Sequence, residues 1–333
     1  MAFVRLAAYP LLLCATIVGC NKDDDDGDTS PSSSSGSSST GSAWLVGDEG
    51  EMLRMSADGS VSTYPLAEDH DLVAIACVGT TGAWVVGSGG TVLSSSDAGT
   101  SWQHHDIGTS ADLAAVAVAE DDDGNAKRIV VAGDGVLLQR IGDGAFTALG
   151  TTERSFTSVD FDHHGERLLA VADDGSIWRA DGDALPIEVA TFTDQPLYGV
   201  ALDASGRNGV VVGAAGWVAM SADGGTTWQP QTVPTTRDLF AVRLSIHGDT
   251  VIAVGEAGTV VRIDDAGTSA HEWLDPALSL RGVHLHAEGN GHAVGDAGTV
   301  LVTADLGLHW EPVDVATDAV LRGVDDFHAD PHL

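Results

Sequence analysis

Short apolar runs separated by polar, glycine-rich turns recur along this chain on a steady beat. One type of run ends in a small residue, followed by a two-residue turn and a glycine. Its copies are Trp44-Leu45-Val46-Gly47, Trp84-Val85-Val86-Gly87, Ile129-Val130-Val131-Ala132-Gly133, Leu168-Leu169-Ala170-Val171-Ala172, Val210-Val211-Val212-Gly213, Ile252-Ala253-Val254-Gly255 and Ala293-Val294-Gly295. The closing small residues are spaced by 40, 46, 39, 41, 42 and 40 residues, and the one long interval holds the acidic insertion Glu120 to Lys127. A second pattern precedes each copy: apolar, any, small, Val or Ile, any, apolar. It reads Leu72–Cys77, Leu113–Val118, Phe156–Phe161, Leu197–Leu202, Phe240–Leu244 with Leu239 before it, Leu280–Leu285, and Leu321 onward. That alternation is the mark of a half-buried strand. A third strand follows each small-residue turn, as in Thr91-Val92-Leu93, and a fourth follows a polar turn that often carries Trp.

Four short strands per repeat of about 40 residues predict an all-β fold, a seven-bladed β-propeller with four-stranded blades. No amphipathic helix of useful length is visible. The two ends match. The first blade begins at its second strand, Ala43-Trp44-Leu45-Val46, and the chain finishes with a lone first-type strand, Leu321-Arg322-Gly323-Val324. The last strand is therefore expected to complete the first blade, which removes two exposed sheet edges. An open solenoid of stacked strands gives no reason for the ends to match.

The segment before the repeats has another character. Residues 1–19 carry one charge, Arg5, and an apolar stretch through Leu11, Leu12, Leu13, Ile17 and Val18, which reads as a signal peptide. Its end, Ile17-Val18-Gly19-Cys20, resembles the lipobox of bacterial lipoproteins. That resemblance implies lipidation of Cys20, cleavage before it, and a membrane anchor in the cell envelope. Asn21 in place of Asp after the cysteine favours the outer membrane on the same resemblance, and Asp23 to Asp26 resemble acidic surface-export tags. Residues 20–42, Asp- and Ser-rich without a large apolar side chain, read as a tether. The domain boundaries are thus 1–19, 20–42 and 43–333.

The formal charge is −34, with lysine only at 22 and 127. Such a field excludes nucleic acid and anionic membrane surfaces as natural partners and favours a soluble, self-repelling monomer. It leaves a basic or Ca²⁺-mediated ligand open. The cysteines are Cys14, Cys20 and Cys77, so the repeat region cannot form an internal disulfide. Cys77 sits in an apolar run and reads as a small buried hydrophobe.

The turn between third and fourth strands carries a motif. Ser95-Ser96-Asp97-Ala98-Gly99-Thr100-Ser101-Trp102 recurs as Ser221 through Asp223, Gly225 and Trp228, and as Thr303 through Asp305, Gly307 and Trp310. Weaker copies lie at Ser56 to Gly59 and Ile263 to Gly267. The motif is similar to the Asp-box, or bacterial neuraminidase repeat. In it the carboxylate accepts N–H bonds across the turn, Gly allows positive φ, and Trp covers the blade. Together with the Val-Gly turns it resembles the photosystem II stability/assembly factor-like propellers over roughly residues 43–327. The resemblance implies the architecture and a habit of binding proteins. The basic, Arg-lined patch associated with photosynthetic members is not expected on so acidic a chain. Sialidases share the Asp-box but need an Arg cluster, a Tyr nucleophile and an acid. Arg-Ile-Pro is absent, and only Tyr64 and Tyr198 follow the signal segment. Glucan hydrolases on such propellers use two carboxylates across a cleft, and no pair is identifiable from spacing. The reading is a non-enzymatic binding or assembly scaffold for a protein or glycan ligand, with a carbohydrate-active enzyme or glycan-binding propeller as the alternative.

Candidate binding residues follow from blade equivalence. The turn after Val-Gly holds Asp48, Asp134, Asp173, Glu256 and Asp296, which on a ring would gather negative potential at a channel mouth or simply solvate tight turns. The innermost strands place Arg243, His284 and Asp325 at one equivalent position, and Tyr198, Arg281 and Arg322 at another. These read as pore lining or inter-blade hydrogen bonding. His284 and His286, with His292 or His309, form at most a partial Zn²⁺ ligand set, unsupported by cysteine or fixed spacing. No metal site and no cofactor is assigned, with Ca²⁺ left open.

Overall fold

The computed structural model describes residues 43–327 apart from 57–58, 65, 67–69, 151–152, 193, 273–276 and 287–288. Cys20, the signal segment and the tether lie outside the described residues, as does Asp58 of the first weak Asp-box copy.

The described residues form seven antiparallel sheets of four strands each, arranged as blades around an axis. The innermost strands are Leu321–Asp326, Leu72–Val78, Leu113–Glu120, Phe156–Phe161, Leu197–Leu202, Leu239–Leu244 and Leu280–Leu285. Each lies beside the next, and the last returns to the first, so the ring is closed. Blade 1 takes the order Leu321–Asp326, Ala43–Gly47, Met52–Met55, Val61–Thr63. In its seam Trp44 pairs with Asp325, Leu45 with Val324 and Val46 with Gly323. The carboxy-terminal strand therefore completes the first blade.

Packing explains the two sequence patterns. The second strand of each blade is covered on both faces by neighbouring blades. Ala43–Gly47, Gly209–Gly213 and Val251–Gly255 are buried at every residue, so they read as continuous apolar runs. The innermost strand buries its first and fourth positions, as Leu280 and Val283, and turns its second and fifth toward the axis, as Arg281 and His284. Seven apolar clusters fill the gaps, one between each pair of adjacent blades. The layer between blades 7 and 1 includes Leu321 and Val324 from the closing strand.

The glycine of Val-Gly marks a close approach. A Cβ on Gly87 would stand 2.1 Å from the carbonyl oxygen of Asp71, where the chain enters its innermost strand. In blades 1, 2, 5, 6 and 7 a single 3-10 turn follows, and its middle residue has positive φ. Glu49, Ala215, Ala257 and Ala297 adopt φ between 53° and 57° there, a strain of about 1 kcal/mol each that the surrounding close contacts must hold. These turns share one end of the ring with the links between blades, here called the Gly-turn face. The Asp-box turns lie at the opposite end.

Leu321 is fully buried. Leu321→Ala is expected to cost about 2–5 kcal/mol in denaturant unfolding. Removing residues 321–333 should abolish the single cooperative transition altogether.

Candidate functional site

The axis carries a cavity at each mouth. At the Gly-turn face it encloses about 330 Å³. Tyr198, Phe240, Arg243, Arg281 and Arg322 line one side, and Val73, Ala114 and Thr157 the other. The Tyr198 and Phe240 rings meet edge to face at 5.6 Å, and the Arg281 guanidinium lies 5.4 Å over Phe240. Arg322 Nε donates to Asp48 Oδ1, and its Nη2 donates to Asp48 Oδ2 at 3.1 Å. Arg281 Nε donates to Asp296 Oδ1 at 2.6 Å. The bond to Asp48 pushes the Arg322 pKa further up, so this cation is permanent. Arg243 Nη1 donates to the Val242 carbonyl at 3.3 Å, and no carboxylate contacts it among the described residues. Burial, and then Asp238, raise the Tyr198 pKa, which keeps the phenol protonated.

The structure brings Tyr198, Arg243, Arg281 and Arg322 together at this mouth, and of the two readings of the turn acids it favours acids that pair or solvate at tight turns over an acidic channel mouth. None of Asp48, Asp134, Asp173, Glu256 and Asp296 lines this cavity. Asp48 and Asp296 are neutralised by the arginine of their own blade's innermost strand. Glu256 sits 3.5 Å from Arg237 in an exposed pair, and Asp134 accepts a bond from Ser155 Oγ at 2.8 Å. Asp173 is exposed. Other acids on this face latch blade to blade: Asp71, Asp112 and Asp238 accept the N–H of Glu49, Gly89 and Ala215 in the preceding blade's turn.

The mouth at the Asp-box face encloses about 270 Å³, and acids dominate its lining, among them Asp160, Asp203, Asp325 and Asp326 beside His284 and Arg243. Most of these acids have structural partners. Asp160 Oδ2 accepts the Leu202 N–H and Asp325 Oδ2 the Cys77 N–H, both at 2.8 Å, each tying one innermost strand to the next. Burial raises the pKa of Asp160 against the pull of Arg243. Burial, then Asp325 and Asp326, push the Cys77 thiol well up, so it is no nucleophile.

His284 is wedged between two carboxylates. Nδ1 lies 2.6 Å from Asp325 Oδ1 and Nε2 lies 2.9 Å from Asp326 Oδ1. Burial would lower its pKa, but Asp326 and Asp325 outweigh burial and raise it to about 10. The same contact, against burial, holds Asp326 down to about 2. His284, Asp325 and Asp326 are also the cluster that could hold a metal among the described residues. Each ring nitrogen stands within ion-pair distance of a different carboxylate, Asp325 at Nδ1 and Asp326 at Nε2, which favours a charged, protonated ring there. His292, its register partner, is lowered to about 4 by burial and then by the His284 charge. His309 is elsewhere, 2.6 Å from Asp305 in an exposed turn.

The Asp-box turns share one bonding scheme. Ser95 Oγ accepts the Gly99 N–H at 2.8 Å, and Asp97 accepts the Ser101 N–H at 2.8 Å and its hydroxyl at 2.7 Å. Ser221, Asp223 and Thr227 repeat this, as do Thr303, Asp305 and His309. The bonds from Thr227 lower Asp223 to about 2. Trp228 and Trp310 donate Nε1–H to the Gly225 and Gly307 carbonyls. Trp102 edges against Trp44 at 5.9 Å. Ile263 to Gly267 is not such a turn. Ile263 supplies no hydroxyl, and Asp264 pairs with Gly267 in a tight hairpin.

Blade equivalence pointed at the axial residues but passed over Phe240, at the Tyr198 position, and Asp160, at the His284 position. Asp326 did carry a signal that was passed over: it takes the sixth position of the first-strand pattern, which is Cys77, Val118, Phe161, Leu202, Leu244 and Leu285 in the other blades.

Asp223→Ala is expected to abolish amide protection at Thr227 and alter Trp228 fluorescence while the far-ultraviolet dichroism stays that of the propeller. Zn²⁺ or a chelator at neutral pH is expected to leave the melting temperature unmoved.

Residues 183–320 match the family model described as photosynthesis system II assembly factor YCF48. Among solved structures, YCF48 bound to D1 peptide is 15% identical with a TM-score of 0.60, over 77% of this chain and 84% of that one. YCF48 from Cyanidioschyzon merolae is 14% identical at TM-score 0.59, over 79% and 97%. A functionally unknown protein from Desulfotomaculum acetoxidans is 15% identical at 0.65, over 87% and 100%. No curated protein sequence matches the chain. The ring is a photosystem II assembly factor-like β-propeller, with that family's sequence pattern recognised over residues 183–320.

Proposed function

We propose that this protein is a lipid-anchored, non-enzymatic binding or assembly scaffold of the cell envelope, taking a segment of a protein ligand at the Gly-turn-face mouth. The observation that carries the reading is the lopsided lining of that mouth. Tyr198 and Phe240 offer ring faces and edges, and Arg243, attracted by Asp160 but with no carboxylate at ion-pair distance among the described residues, offers donors beside them. A half-buried guanidinium with one weak carbonyl bond favours an incoming acid or carbonyl. The opposite wall of small residues leaves room for an inserted side chain. A propeller of the same fold, YCF48, is bound to a D1 peptide in its solved structure, which supports a peptide as the ligand class here. Anchoring through Cys20 and an outer-membrane location rest on the lipobox resemblance, and the charge of −34 opposes self-association.

The carbohydrate-active alternative has less to draw on. A glycosidase needs an acid and a base free to face a sugar. Asp160 and Asp325, which share the other mouth, are each engaged by a neighbouring backbone N–H.

A photo-crosslinking residue at Phe240, in the anchored protein in its own envelope, is expected to capture a discrete protein that the same residue at exposed Gln103 does not. Arg243→Glu should cut that capture by about tenfold or more, as for an interface anchor. Equal capture from both positions, or capture indifferent to Arg243→Glu, would sink the assignment of the mouth. Cys20→Ser should release the protein from membranes. Retention there would remove the anchor.

A further inference from the structure

The seam between blades 7 and 1 holds a feature that binding at the opposite mouth does not use. The closing strand Leu321–Asp326 reaches three blades at its carboxy-terminal end. It pairs with Ala43–Gly47 of its own blade, Asp325 Oδ2 accepts the Cys77 N–H of blade 2, and Asp325 and Asp326 together grip His284 of blade 7. We propose that this grip is a proton-linked latch: the closing strand is held to blade 7 by a doubly protonated His284 between Asp325 and Asp326, and each opening of the strand releases one proton.

The proton assignment follows from geometry. Two carboxylate oxygens stand on opposite edges of one imidazole, at 2.6 and 2.9 Å. With a neutral ring the two carboxylates, Asp326 96% buried at its side chain, would stand in contact with it and with no cation between them, and no hydrogen bond among the described residues reaches Asp326 Oδ1 to offset that. The imidazolium supplies the missing charge. The other groups facing the ring leave this balance in place. His292, on the adjacent strand Gly291–Gly295, stays neutral. His286 and Arg243 share the mouth with His284; the Arg243 charge opposes the proton, while Asp160 across the mouth favours it at longer range. Cys77 remains a thiol. The two carboxylates in contact outweigh the rest.

The sign of the linkage is fixed by the direction of each shift. His284 is raised from 6.5 to about 10, so the latch is complete below pH 6.5 and weakens as pH rises toward about 10. Asp326 is lowered from 3.8 to about 2, so the latch also weakens as pH falls from 3.8 through about 2. Between pH 6.5 and about 10 the closed strand binds one proton more than the open one. The opening equilibrium therefore rises about tenfold per pH unit across that range. Arg322 sits on the same strand and lines the other mouth, so opening would also dismantle the proposed binding site. That consequence rests on the functional reading, whereas the latch does not.

The test is amide hydrogen exchange of the full chain from pH 6 to 9.5, with protection corrected for intrinsic exchange and reclosing faster than exchange. Amides of Trp44 to Val46 and of Val324 are expected to lose protection by about tenfold per pH unit above 6.5, while those of Val210 to Val212 in blade 5 hold steady. His284→Gln should lower seam protection and flatten its pH response. Should that variant fail to fold, the wild-type His284 ring resonances decide, remaining those of imidazolium through pH 9. Flat wild-type seam protection, a His284→Gln seam that keeps the wild-type slope, or a ring titrating near 6.5 would each overturn the latch.

Discussion

Strand Leu321–Asp326 joins parts of the chain that lie far apart in sequence. Arg322 and its partner Asp48 are 274 residues apart. Bringing such distant ends together costs about 5 kcal/mol in chain entropy. Full burial of Leu321 and Val324 returns about 1.5–3 kcal/mol each, so packing alone roughly cancels the closure cost. What tips the balance is the paired backbone ladder and the charges at the two ends of the strand. Arg322 is bound to Asp48 at one end, and Asp325 and Asp326 are bound to His284 at the other. Every apolar layer of the ring lies between two blades, so an open seam would expose the layer holding Leu45 and Val294 and leave two sheet edges unpaired.

The repeats divide labour by position. The first and fourth positions of the innermost strands barely vary, Leu or Phe and then Val or Ile, because each must fit between the same two neighbours. Axis-facing positions carry no such constraint, and they differ from blade to blade. The second position runs Val73, Ala114, Thr157, Tyr198, Phe240, Arg281, Arg322. Blades 2 to 4 thus contribute small side chains and blades 5, 6, 7 and 1 contribute rings and cations. A sevenfold scaffold acquires a one-sided mouth without any change in its backbone.

That division also explains what the sequence discloses. Blade number and ring closure are legible because a strand covered on both faces must be apolar throughout, as Val210-Val211-Val212 is, and because the unmatched strand at one end fits the gap at the other. The charge distribution is less legible. Five acids in equivalent turns look like a ring of negative potential only while their partners are ignored. Aligning the turns with the innermost strands would have shown that blades 1 and 7, with Asp48 and Asp296, also carry Arg322 and Arg281 at the second position. The same alignment would have found Phe240 and Asp160. The His284 site was half visible in it. Asp326 stands out as the one acid at a position that is apolar in the other six blades, but its contact with His284 depends on ring closure, which brings the strand Leu321–Asp326 beside blade 7.

Net charge and local charge act over different ranges. At physiological ionic strength the field of the −34 surface decays within about 8 Å, so it bears on a ligand's approach more than on its seating. The cations of the mouth are few, and two of them are already neutralised by Asp48 and Asp296. A uniformly acidic ligand would be repelled on approach and gain only Arg243 on arrival. A uniformly basic one would be attracted everywhere and find no free acid at the mouth. On the reading proposed above, the arrangement discriminates for a segment with a single acidic or carbonyl group beside an apolar or aromatic side chain, carried on a neutral or basic body. Selectivity then comes from what the rest of the surface rejects as much as from what the mouth accepts.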